Sequence, residues 1–292
     1  MGVVYLALII LCGTGLTLAC KWASRKGSSP LGLVTVVQVV VAAALVAAVC
    51  IRGGSWSRTL VLLGAAAGVG GTLGFLLTVQ ALRIGHYAFT NSIVGACFLA
   101  SVVFSAIFWE RIGPLEVAGV LVITSAVAMI TFSSSSDRGE HPGRWGRWAL
   151  LAAGGFLFSA LGQISNAAAA RAFATSGGLP MLEFLTVCYL TGAVVLLPVN
   201  IIRGEFSRRT VLYGLVGAAA SLVGAAVLLL VLMIPVPESV VFPVSVSGGL
   251  FVSVLLSRLL FRERIGPLGY AGIAVEVAGV VLLAFAMAHR AA

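Results

Sequence analysis

The chain has 292 residues, of which 60% are hydrophobic and 9% charged, and its mean hydropathy is +1.14. Soluble domains carry roughly 25% charged residues, so this composition excludes an ordinary soluble enzyme or nucleic-acid-binding module. The formal net charge of +9 comes from 18 basic residues placed mostly between apolar runs, as expected at lipid headgroups.

A membrane-spanning helix needs about 20 mostly apolar residues. Ten such runs are predicted, at about 3–20, 31–51, 60–82, 88–108, 114–132, 148–170, 180–202, 210–233, 239–261 and 267–288. The first lacks a basic start and a convincing cleavage site, so it reads as a span and not a signal peptide. It carries Thr14, Thr17 and Lys21 at i, i+3 and i+7, on one helical face. The third run holds Gly64, Gly68 and Gly71 at a spacing that suits close helix contact, and Gln80 near its end. The fourth opens on His86 and Tyr87, read as interfacial anchors, and contains Asn91. Residues 133–147, with serines and mixed charge, read as a linker. The sixth run places Ser159, Gln163 and Asn166 at i, i+4 and i+7. In the seventh, Glu183 shares a face with Arg171; either the two pair at the mouth of a pathway or, as favoured, each reaches headgroups. In the ninth, Pro243 frees a carbonyl near Ser245. Glu276 sits midway along the tenth, as a proton-coupling site or as a neutral acid bonded to a neighbouring helix.

Six residues, Glu110-Arg111-Ile112-Gly113-Pro114-Leu115, return letter for letter as Glu263-Arg264-Ile265-Gly266-Pro267-Leu268. The turn has a physical logic: Gly113 and Gly266 suit the positive φ often found past a helix end, Pro114 and Pro267 suit the first position of the next helix, and Glu110 and Glu263 suit its dipole. Other matches extend the repeat: Ile51-Arg52-Gly53 with Ile202-Arg203-Gly204, Arg58-Thr59 with Arg209-Thr210, and Gly119 with Gly272. The chain therefore divides into a first five-helix unit at 1–132, a linker at 133–147 and a second unit at 148–288. Five spans is an odd number, so the two units enter the bilayer in opposite directions. Inverted repeats of this kind are a hallmark of secondary transporters. The expected fold class is an all-α integral membrane protein of ten helices in two inverted repeats.

On the face that holds the N-terminus lie Arg52, Arg58, Arg111, Arg171 and Arg290. The opposite face holds the remaining basic residues, among them Lys21, Arg25, Lys26, Arg203, Arg208 and Arg209. The positive-inside rule places that richer face in the cytoplasm and both termini outside.

The duplicated unit closing in Glu-Arg-Ile-Gly-Pro-Leu resembles the EamA-type families of the drug/metabolite transporter superfamily. The resemblance covers nearly the whole chain. A proline common early in the fourth helix of each unit stands as Pro243, with Thr90 in the first half. An arginine often seen in the second helix is absent, and Gln38 is the nearest polar residue. The resemblance implies a central cavity lined by the first, third and fourth helices of each unit, the last helices outside its wall, and termini in the cytoplasm, against the charge count. It also leans toward export.

The polar residues within the spans are mostly amides and hydroxyls, which suit a neutral or zwitterionic polar metabolite, such as an amino acid. The candidate substrate-binding residues are Thr14, Thr17, Gln80, Asn91, Ser159, Gln163, Asn166 and Ser245, with Glu276 the coupling candidate. No phosphate-binding Gly-Lys-Ser/Thr loop occurs, so ATP is not the expected motor, and proton or sodium would couple. Cys12, Cys20, Cys50, Cys97 and Cys188 show neither metal nor disulfide spacing. No catalytic constellation, cofactor or nucleic-acid partner is expected; the partners are the bilayer and a small solute, with homodimerisation left open. The rival reading is a non-transporting membrane subunit or lipid-handling partner, which predicts a dry, closed interior.

Overall fold

The computed structural model describes residues 2–85, 87–108, 113–133, 142–173, 180–232, 248–249, 251–253, 255–256, 258–260 and 266–291. Every described element is an α-helix: α1 (Gly2–Arg25), α2 (Pro30–Arg52), α3 (Arg58–Ile84), α4 (Tyr87–Gly95), α5 (Phe98–Phe108), α6 (Pro114–Ser133), α7 (Pro142–Phe173), α8 (Met181–Arg203), α9 (Arg208–Leu232), the short apolar α10 (Phe251–Leu260) and α11 (Pro267–Ala291). Among the described residues, seven helical stretches are long and apolar enough to cross a membrane. In a bilayer the backbone must satisfy its own hydrogen bonds, which helices do within one segment. Helical throughout its described elements, the chain is a multi-pass membrane protein.

Serine starts several helices. The Ser29 hydroxyl accepts from the Gly32 N–H at 3.1 Å and Pro30 follows it at the first helical position of α2. Ser57 does the same for Leu60 of α3 at 3.2 Å, and Ser207 for Thr210 of α9 at 3.1 Å. Each hydroxyl satisfies a donor that the first helical turn leaves orphaned.

The repeated turn is built differently from its sequence-based reading. Positive φ occurs, among the described glycines, at Gly27, Gly53 and Gly204, and not at Gly113 or Gly266. Those two glycines start α6 and α11: their carbonyls accept from Val117 and Tyr270 respectively. Gly266 packs closely on α6: an added Cβ would lie 3.0 Å from the Ser133 hydroxyl. The capping carboxylate is Glu116, whose Oε2 accepts from the Gly113 N–H at 2.8 Å. Glu110 and Glu263 lie outside the described residues. Glu116→Ala is expected to destabilise the protein by about 1 kcal/mol, the usual worth of a helix cap, read as a lower thermal midpoint in detergent.

The span expected at 88–108 is broken at Ala96–Cys97 into α4 and α5. The Cys97, Leu99 and Ala100 N–H groups donate to Val94, Ala96 and Cys97, three residues back. This tightening keeps the backbone paired through the break, without a proline. The expected linker is also shorter, since α6 continues to Ser133 and α7 begins at Pro142.

Close helix crossings organise the bundle. A Cβ on Gly70 of α3 would meet the Gly162 N and Phe158 O of α7, each at 2.8 Å, and one on Gly64 would meet Val187 of α8 at 2.8 Å. α6 and α11 run antiparallel: Gly119 packs on Leu283, Gly279 on Ile123 and Gly272 on Ile130. α1 packs on α9, α2 on both α8 and α9, and α3 on both α7 and α8.

Candidate functional site

A cavity of about 330 Å³ lies near the middle of the bundle. Six helices wall it, α1, α2 and α3 from the first half and α7, α8 and α9 from the second. Its polar lining comes from Gln38, Thr72, Asn166, Tyr189 and Ser221, with Ala67, Phe75 and Leu185 among the apolar residues. Gln38 is buried on α2, and its Oε1 has no hydrogen-bond partner among the described residues. Gly13 and Gly71 line the cavity with open space where a side chain would start.

The predicted site residues divide among different places. Asn166 alone lines this central cavity. Ser159, on the same helix, packs against α3: a Cβ on Gly74 would lie 2.7 Å from the Ser159 N. Gln163 lies within hydrogen-bonding reach of the Cys97 thiol, and its Oε1 has no partner among the described residues. The α7 polar stripe thus fans across several neighbours.

Thr14 and Thr17 face away from the cavity; α1 presents Ile9, Cys12, Gly13 and Leu16 to it. The Thr17 hydroxyl and the Tyr87 hydroxyl share a hydrogen bond of 2.7 Å, and Thr14 donates to the Gly249 carbonyl at 3.5 Å. Asn91 donates to the Ser253 hydroxyl at 3.3 Å. These residues link α1 to α4 and to Gly249, and α4 to α10. Tyr87 is fully buried there and is no interfacial anchor; His86 lies outside the described residues, as does Ser245.

Lys21, counted with the headgroup-facing basic residues, is 6% exposed. Its Nζ donates to the Leu82 carbonyl at 2.8 Å and the Gly85 carbonyl at 2.6 Å. These are the last carbonyls of α3, where the helix dipole favours a cation. Glu183 is likewise buried, and its Oε1 accepts from the Ser55 N–H at 3.3 Å, holding the α2–α3 turn while Arg171 is exposed. Glu276 is 1% exposed, and neither oxygen has a hydrogen-bond partner among the described residues. It belongs to α11, which packs on α6, and lines neither this cavity nor the one described next.

A second, larger cavity of about 750 Å³ lies at the membrane face opposite the N-terminus. Gln80 lines it, together with Arg83, Arg147, Arg203 and Glu205. The walls come from α2, α3, α7 and α8, helices that also wall the central cavity. The two are offset by five residues along α3, Phe75 to Gln80, and by six along α2, Leu31 to Val37. At 1.5 Å rise per residue that is roughly 7–9 Å. Buried apolar side chains fill this interval, including Cys20, Leu33, Val34 and Val79.

Gln38, Thr72, Tyr189 and Ser221 were missed as site residues. The available signal was a lone amide, Gln38, inside the apolar run of α2, where a polar group is costly without a purpose. Tyr189 is its repeat mate by the offset that aligns Ile51 with Ile202.

No family model matches the chain, and no curated protein matches it. Solved structures do. One, described only as the crystal structure of a protein, is 17% identical, covers 98% of this chain and 96% of its own, and superposes with a TM-score of 0.67. At that identity the likeness concerns the fold alone.

Proposed function

We propose that the chain is a secondary transporter that moves a small polar metabolite, amino-acid-like or otherwise neutral or zwitterionic, by alternating access between two inverted five-helix units at 1–132 and 148–288. The observation that carries this reading is the central cavity with walls from both halves and polar groups from each. Its volume lies at the lower end of ligand sites, roughly 300–1,000 Å³, which favours a small solute.

The packing supports the inverted arrangement. Shifting by the repeat offset of 153 turns the contact of Gly119 with Leu283 into that of Gly272 with Ile130, and both contacts exist. The neighbouring backbone contacts, Gly119 on the Gly279 carbonyl and Gly272 on the Ala126 carbonyl, are related by the same shift. The pairs α3–α7 and α1–α9 exchange when the two halves are interchanged, as do α3–α8 and α2–α9, with an offset of 151 for the second and third helices of each half. Such a relation between antiparallel helices fits a two-fold axis in the membrane plane.

The apolar layer of Cys20, Leu33, Val34 and Val79 separates the central cavity from the basic face. In this reading it is the closed gate of one state, and exchange of packing between the halves opens it. A bound solute biases that equilibrium only through different affinity for the two states. By charge the basic face is cytoplasmic, the membrane is the plasma membrane, and the net direction is export; a proton, sodium or solute gradient supplies the energy.

Reconstituted protein loaded with a panel of amino acids and neutral polar solutes should release at least one in a saturable manner, faster than protein-free vesicles. A panel that never moves, with and without a pH or sodium gradient, would overturn the reading in favour of a non-transporting membrane subunit.

A further inference from the structure

We infer that the cavity at the basic face is a recognition vestibule for the anionic group, a carboxylate or a phosphate, of the solute that reaches the central cavity. The inference rests on the transporter reading and narrows its substrate class.

The lining holds three guanidiniums, Arg83, Arg147 and Arg203, against one carboxylate, Glu205. That carboxylate is already engaged by the Ser29 hydroxyl. The three arginines come from the end of α3, the start of α7 and the end of α8, so distant parts of the chain converge on one hollow. Headgroup-facing arginines need no such convergence: Arg83, Arg147 and Arg203 are exposed, as are Arg208 and Arg209, but only the first three line the hollow. Guanidinium forks match carboxylate and phosphate oxygens in pairs.

A second observation points the same way. Ser28 lines the vestibule, is 4% exposed, and its hydroxyl has no hydrogen-bond partner among the described residues. A buried hydroxyl without a partner is costly, and an oxyanion in the vestibule is an acceptor for it. Gln80 supplies a further amide. The position is also informative: the vestibule shares α2, α3, α7 and α8 with the central cavity and lies behind only the thin apolar layer. An anionic group held there waits on the path, where clustered positive charge raises its local concentration.

The test is equilibrium binding to the full chain in nanodiscs of phosphatidylcholine alone, with inorganic phosphate and succinate as separate probes at constant ionic strength. Saturable binding of at least one probe is expected. Arg83→Gln, Arg147→Gln and Arg203→Gln should each weaken it about tenfold, with Arg→Lys partly restoring it and Arg209→Gln leaving it unchanged. Monodispersity of each variant shows that it has folded. Absence of saturable binding, or equal weakening by Arg209→Gln, would overturn the inference. So would a site that takes phosphatidylglycerol added to the nanodisc but neither soluble probe, since that identifies a lipid-headgroup site. Binding needs no turnover, so the outcome is independent of the flux assay: flux of neutral solutes without anion binding defeats this inference alone, and anion binding without flux defeats the transporter reading alone.

Discussion

Gly71→Leu is expected to fold normally and to lower transport at least tenfold. Gly71 lines the central cavity, and no atom lies within 4 Å of where its Cβ would stand. A leucine there extends into empty space near the middle of α3. Its Cβ meets no backbone of another helix within 4 Å, and leucine is a better helix former than glycine by several tenths of a kcal/mol. The thermal midpoint should therefore hold or rise. The cavity measures about 330 Å³, so one added side chain removes much of the room a small solute needs. Gly13→Leu, open in the same way on α1, should act similarly. Flux into proteoliposomes, set beside thermal unfolding of the same preparation, checks both halves of the expectation. Full flux in a well-folded Gly71→Leu protein would place the pathway elsewhere.

The adjacent residue should behave in the opposite manner. Gly70→Leu is expected to yield no monodisperse protein, and Gly70→Ala to lose about 2–3 kcal/mol, within the usual cost of overpacking. The obstacle to a Cβ at Gly70 is backbone, the Gly162 N and Phe158 O of α7 at 2.8 Å each, which no rotamer change can clear. The whole of α7 would have to move away from α3. The readouts are size-exclusion profile and thermal midpoint in detergent. A stable Gly70→Leu protein would mean that α3 and α7 do not cross this closely.

The contrast between these neighbours also shows what was legible beforehand. The glycine spacing on α3 predicts close contact at Gly64, Gly68 and Gly71. Gly64 meets Val187 and Gly68 meets the Cys188 carbonyl as expected, but the α7 contact uses Gly70, while the Cβ position of Gly71 opens on the cavity. Small residues at a crossing and small residues at a cavity wall look alike in a sequence. Apolar length was readable because every spanning helix needs it. The break at Ala96–Cys97 was not, because its i−3 hydrogen bonds need no proline and the adjacent Gly95 looks like the many glycines inside unbroken helices.

Polar periodicity grouped Asn166, which lines the central cavity, with Ser159 and Gln163, which meet other neighbours. A helix in a bilayer is apolar toward lipid and apolar toward its neighbours, so contrast around it no longer marks an inner face. Thr14 and Thr17 share a face on α1, yet that face meets Tyr87 of α4 and the Gly249 carbonyl, and the cavity sees Cys12, Gly13 and Leu16 instead. Gln38 and Tyr189 stand at matching positions of the two repeats, and that agreement was the better signal. Lys21 and Glu183 show the same difficulty with charge. Both lie near helix ends, where headgroup contact is the ordinary expectation, yet each turns inward to satisfy backbone groups at the end of a neighbouring element.

Access to the central cavity from the two membrane faces is the property on which the transport reading stands. With the five native cysteines replaced by alanine, a cysteine placed at Asn166 can be exposed to a membrane-impermeant thiol reagent from one side of oriented proteoliposomes at a time. Labelling from either side, slowed by a solute that the protein moves, is the predicted result. Labelling from neither side, or from the same single side under every gradient and solute, would contradict it.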